Sequence, residues 1–118
     1  SLKYKVTATP IQLDVQNYTQ VESVFKELEK EVDILLNNAG LALSSDKIQD
    51  AEIGNWETMI DTNVKGLLYV TKATLPSMIK KNRGHIINIG SVAGHECYSA
   101  GNVYCATKHA VRAISKSL

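Results

Sequence analysis

Two short apolar runs constrain this chain more than anything else in it. Residues 32–36 are apolar apart from Asp33, and residues 85–89 hold Ile86, Ile87 and Ile89. The first run is stopped by Asn37-Asn38-Ala39-Gly40 and the second by Gly90-Ser91. A half-wet strand alternates, whereas a continuous apolar run predicts a strand covered on both faces, as in a parallel sheet. Parallel strands need a long crossover, usually helical. Residues 55–81 supply one, with Trp56, Met59, Ile60, Val64, Leu67, Val70 and Met78 at helical spacing, and Pro76 predicted to kink it or mark its last turns.

The flanks continue the alternation. Residues 4–13 (Val6, Ile11, Leu13, with Pro10 interrupting) predict a further strand, ended by Asp14. Thr19 is then expected to cap a helix running to about Glu31, with Val21, Val24, Phe25 and Leu28 on one face. Polar residues 44–50 and the small-residue stretch 94–102 predict loops, and a last helix starts near Val103 and is still running at Leu118. The order strand, helix, strand, helix, strand, helix predicts an α/β fold with a parallel sheet. The length of 118 residues suits one domain. There is no internal repeat and no linker, and a chain that begins at Ser1 and stops within a helix fits a partial sequence.

Charge narrows the function classes. A net charge of +1 offers no field to gather nucleic acid or an anionic membrane. The cluster Lys80, Lys81, Arg83 falls at a helix end, where cations favour the macrodipole. Cys97 and Cys105 have no metal-ligand spacing, which predicts no metal and a reduced, cytoplasmic compartment. No apolar run reaches membrane-spanning length, and the first residues do not read as a signal peptide.

Ligands of a parallel sheet bind at the carboxyl ends of its strands. Asp14, residues 37–40 and Ser91 all follow expected strands and should converge there. Tyr104 and Lys108, at i and i+4, share a helical face. A cation one turn from a phenol stabilises its anion, the condition a tyrosine needs to donate and accept protons near neutral pH. Alone, Tyr-x-x-x-Lys is a weak signal. Its company is not: Asn-Asn-Ala-Gly after a buried run, Asp61-Thr62-Asn63 inside the long helix, and Gly-His-Ile-Ile-Asn-Ile-Gly-Ser ending thirteen residues before Tyr104.

With these motifs the chain resembles the short-chain dehydrogenase/reductase family from about residue 6 to 118. The resemblance implies a Rossmann-type doubly wound parallel sheet, here incomplete, with the family's first two strands and C-terminal part absent. It implies that residues 1–118 are the central part of a single domain. Tyr104 would be the general acid/base, Lys108 would assist it and bind the nicotinamide ribose, and Ser91 would hydrogen-bond the substrate oxygen. Asn63 would interrupt its helix through a water and complete a proton path. Asp14 and Val15 match the pair that frames the adenine; Asn37, Ala39 and Gly40 match the turn that admits the cofactor. In the family's strand order, 3-2-1-4-5-6, the strands expected here are the third, fourth and fifth. The third is no neighbour of the fourth, so the chain alone is expected to be unstable and inactive. The family's Gly-rich phosphate loop and the residue choosing between NAD and NADP lie upstream of this sequence.

Finer similarity, in Asn-Asn-Ala-Gly-Leu-Ala-Leu, Trp-Glu-Thr-Met-Ile-Asp-Thr-Asn and Gly-Asn-Val-Tyr-Cys-Ala-Thr-Lys, is to the NADP-dependent 3-hydroxy acid dehydrogenases. It implies an oxidoreductase acting on a small hydroxy acid such as serine, with NADP as cofactor and NAD left open, in a homo-oligomer (dimer or tetramer). Alternatives are a carbonyl or 3-oxoacyl-thioester reductase, a non-catalytic protein that kept the fold, or a truncated product. His85, His95 and His109 match no motif position, and Cys105 is expected to pack. Trp56, Leu67 and Leu68 are expected to be core or interface. Asn88 is expected to tie its strand end to a loop, and Asp61 is either a surface charge or a support for the Asn63 kink.

Overall fold

In the computed structural model, which describes residues 2–28 and 32–118, the two apolar runs become strands β1 (Ile34–Asn37) and β2 (His85–Asn88). They pair in parallel, with Ile34 beside His85 and Asn37 beside Asn88. Their crossover is one long helical rod of three parts: α2 (Ile53–Ile60), a π-helical turn (Asp61–Gly66) and α3 (Leu67–Lys81). Helix α1 (Tyr18–Glu27) precedes β1, and α4 (Asn102–Ser117) follows β2.

Strand periodicity puts Leu35, Asn37, Ile86 and Asn88 on one face. There Leu35 is buried with Val21 of α1 and Val70 and Met78 of α3. Tyr18 and Tyr69 add a tilted ring pair between α1 and α3, with centroids 5.3 Å apart. Helix α3 runs through Pro76 to Lys81 and closes on Asn82 in the left-handed region (φ 51°), whose N–H reaches back to Ile79. Beyond it Asp33 accepts from Lys81 (3.3 Å) and Arg83 (2.9 Å). The Arg83 guanidinium first, then the Lys81 ammonium, hold that carboxyl below its ordinary value. All three groups are at least partly in water, so the pairs contribute little stability.

Several expectations need correction. Residues 4–13 form no strand: Leu2–Tyr4 is a 3-10 turn and no ladder of the β1–β2 sheet reaches residues 7–13. A strand exists only beside a hydrogen-bonded neighbour, and among the described residues β1 and β2 pair only with each other, which leaves residues 7–13 without a partner strand. The first helix is capped by Asn17, whose Oδ1 accepts from the Gln20 N–H (3.2 Å), and Thr19 lies inside the first turn. The end expected at Glu31 lies outside the described residues.

The expectation of strands covered on both faces also fails for this chain. Among the described residues the buried cluster lies on the Leu35 face, and on the other Ile34 is 63% and Leu36 55% exposed, beside Ile87. An apolar run records the environment a strand needs, not what one stretch of chain supplies. The 118-residue chain alone is therefore expected to melt without a cooperative transition and to bind an apolar dye such as ANS. A single sharp calorimetric transition without dye binding would contradict this.

Candidate functional site

The π turn and α4 meet at Asn63, which is 2% exposed. A buried amide must satisfy all its groups, and this one does. Its Oδ1 accepts from the Leu41 N–H (2.9 Å), while its Nδ2 donates to the Leu41 carbonyl (2.8 Å) and to Thr107 Oγ1 (3.1 Å). Asn63 thus grips the loop after β1 on one side and α4 on the other. The expected interruption of the helix takes the form of a widened turn, not a break.

On α4, Tyr104 is half-buried and Lys108 only 9% exposed. The Lys108 ammonium lies 5.9 Å from the centroid of the Tyr104 ring. None of the ion pairs among the described residues uses Lys108. Gly40 completes the group: a Cβ there would stand 3.5 Å from Lys108 Nζ and 3.2 Å from Asn63 Oδ1. Ala39 and Gly40 are exposed, so a flat ligand can approach their backbone directly beside the lysine.

Ser91 sits at the mouth of the 3-10 turn Val92–Gly94 after β2, where its Oγ accepts from the Ala93 N–H (3.2 Å). A hydroxyl used as acceptor keeps its proton to donate. Gly94 in that turn rests against the Lys108 carbonyl, which sets Ser91's turn on α4. The structure therefore gathers Asn63, Lys108, Tyr104, Gly40 and the turn of Ser91.

Asp14, Val15 and Asn37 are placed differently. The Asp14 carboxylate accepts from the Gln16 N–H (3.0 Å) and shapes its own turn. Val15 presses on Gly66 in the π turn, where a Cβ would come within 2.7 Å of its Cγ2. Asn37 turns its side chain away, donating to Thr71 (3.1 Å) and Asn88 (2.9 Å). Asn88 in turn donates to Ser115 on α4 (2.9 Å), so it ties its strand to a strand and a helix rather than to a loop. Asp61 pairs with Lys65 at 3.3 Å on the surface. Cys105 is buried as expected, and His109 bonds the Cys105 carbonyl within its own helix.

Sequence reasoning missed Thr107, 2% exposed, and the Leu41 backbone. A polar residue three places after Tyr104, on the inward face of an amphipathic helix, was the available signal. Thr62 Oγ1, also buried, has no hydrogen-bond partner among the described residues. Thr62→Val is therefore expected to be neutral or stabilising by up to about 1 kcal/mol in denaturant unfolding of the full-length protein. A clear loss would show that the hydroxyl is bonded after all.

Parallel strands joined by a helical crossover, with polar and glycine residues at their carboxyl ends, define an α/β unit of the Rossmann type. The family model for short chain dehydrogenases matches residues 2–118. The NADP-dependent 3-hydroxy acid dehydrogenase of Escherichia coli K12 is 54% identical over 110 residues, 91% of this chain and 44% of that protein. Its counterpart in Schizosaccharomyces pombe is 45% identical over 119 residues, 98% of this chain and 46% of its own length. Among solved structures, serine dehydrogenase from Escherichia coli superposes with a TM-score of 0.87 at 52% identity, over 91% of this chain and 50% of that one. The closed form of serine dehydrogenase complexed with NADP+ also gives 0.87, at 53% identity, over 91% and 44%. The chain belongs to the short-chain dehydrogenase family. It spans less than half the length of the curated relatives it matches.

Proposed function

We propose that this chain is the central part of a single-domain oxidoreductase that moves a hydride between NADP and the hydroxyl-bearing carbon of a small 3-hydroxy acid such as serine. The observation that carries the reading is the lodging of Lys108 Nζ between Gly40, Asn63 and the Tyr104 ring. The residues fit a nicotinamide cofactor: the bare backbone at Gly40 leaves a cradle that a Cβ would fill, with the Lys108 cation at its edge. Lys108 and the 39–40 backbone would hold the nicotinamide ribose, and Asp14 and Val15 would frame the adenine. When bound, that group supplies or takes up the hydride.

The chain's own residues handle the proton. Tyr104 gives its phenolic proton to the substrate oxygen in reduction and takes it back in oxidation. The neighbouring ammonium of Lys108 stabilises the charge left on the Tyr104 oxygen. Ser91 donates its free hydroxyl proton to the same substrate oxygen and stabilises charge developing there. Asn63 holds the loop of Leu41 against α4, keeping Gly40 and Lys108 together.

Two finer readings belong to the same proposal. Cys97 and Cys105 are both free thiols, which supports a cytoplasmic location. Ile60 and Leu68, exposed apolar residues on the long crossover helix, support a homo-oligomer. No helix among the described residues is long and apolar enough to cross a membrane.

The test is NADP reduction by the full-length protein with serine, allo-threonine, 3-hydroxyisobutyrate and a simple secondary alcohol. Turnover of the hydroxy acids supports the assignment. Turnover of the alcohol alone removes the hydroxy acids, and no turnover with NADP or NAD removes the reaction.

A further inference from the structure

We propose that Thr107 is a positioning residue for this reaction: its hydroxyl carries the placement of Asn63 to the turn of α4 that bears Tyr104 and Lys108. The inference rests on the oxidoreductase reading above. Thr107 is 2% exposed, and its hydroxyl donates to the Tyr104 carbonyl at 2.8 Å. By itself that is a local bond of the sort a threonine often makes within its own helix. Here the same oxygen also accepts from Asn63 Nδ2 at 3.1 Å, across forty-four positions of sequence.

The directions of these bonds are forced. Leu41 presents both its N–H and its carbonyl to the Asn63 amide, so the amide oxygen must face the first and the nitrogen the second. One amide hydrogen remains, and it points at Thr107. Because Thr107 Oγ1 receives that hydrogen, its own proton goes to the Tyr104 carbonyl. The chain of donors therefore runs one way, from the π turn into the backbone of Tyr104. The same helical segment also packs closely on Gly94, where a Cβ would come within 2.8 Å of the Lys108 carbonyl oxygen. The turn carrying the phenol and the ammonium thus meets two contacts, and Thr107 makes the polar one. Only a hydroxyl does this, since the position must accept from one partner and donate to another within a buried space.

The experiment compares full-length wild type with Thr107→Val, which keeps the shape without the hydroxyl, and Thr107→Ser, which keeps the hydroxyl without the methyl. For Thr107→Val, kcat is expected to fall about tenfold to a hundredfold, the scale of a small misplacement of reacting groups, and the pH profile of kcat should move. In the cofactor-free protein, amide exchange should rise at Leu41 and in the 104–108 turn while distant helices keep their protection. Thr107→Ser should restore kcat to within about threefold and recover the wild-type profile. If Thr107→Val proves insoluble, Thr107→Ala against Thr107→Ser gives the same comparison. The inference is overturned if the hydroxyl-free variant loses only thermal stability, with kcat, pH profile and local exchange unchanged. It is also overturned if Thr107→Ser fails as badly as Thr107→Val. Wild type that transfers no hydride to any substrate would overturn the oxidoreductase reading, and this inference with it.

Discussion

Tyr104→Phe is expected to lower kcat of the full-length protein by about 10²–10⁴-fold, the range that a positioned general acid/base contributes. The ring stays, so its place beside Lys108 stays, and unfolding free energy should change by no more than about 1 kcal/mol. NADPH binding, followed by the fluorescence of its reduced nicotinamide, should survive, because the phenolic oxygen is the only group removed. The measurement is a pair of assays on one preparation, turnover and cofactor binding. Undiminished turnover would mean that the proton takes another route and that Tyr104 merely packs.

Asn63→Leu is the second large effect, and its signature is stability. Leucine keeps the branched shape but offers nothing to Leu41 N–H, Leu41 C=O or Thr107 Oγ1. Each buried group left without a partner costs about 1–3 kcal/mol. A loss of about 3–5 kcal/mol in denaturant unfolding is expected once partial exposure of Leu41 is allowed for. Turnover should fall as well, since the Leu41 loop leads directly from Gly40, which abuts Lys108. Asn63→Asp keeps the acceptor for Leu41 N–H but removes both donors, and it should be intermediate at neutral pH only if the carboxylate finds water. A variant Asn63→Leu within about 1 kcal/mol of wild type would show that the amide is not the clamp described here.

What was legible in the sequence divides along a physical line. Periodicity located α1, β1, the long crossover, β2 and α4, because each buries a face that its own residues define. Tyr104 and Lys108 were placed on one face by helix geometry alone, and the structure puts them there. Three features were not legible because they depend on partners far away in sequence. Residues 4–13 have the composition of a strand, but hydrogen-bonded neighbours decide strands. Asn37 sits where a ligand-facing turn begins, yet its amide is spent on Thr71 and Asn88. Thr107 gains its long-range partner only from Asn63, forty-four positions earlier. The cap shows the local limit of the same problem: Asn17 and Thr19 are both good capping residues, and only the backbone at Asn17 turns the right way.

The π turn has a consequence for how the crossover rod tolerates change in length. Met59 and Met78, both buried, are nineteen positions apart. In an uninterrupted α-helix, at about 100° per residue, they would point about 100° away from each other. The wide turn at Asp61–Gly66 absorbs one residue, which brings the two methionines back into line and lets the crossover keep a buried edge from Met59, beside Leu43, to Met78, beside Gly84. The rod behaves as a helix with an angular correction built in near its first third. Deleting one residue there would restore ordinary α-helical winding and at the same time rotate Val70, Thr74 and Met78 out of their buried positions together, so the wider turn is the length that the packing requires.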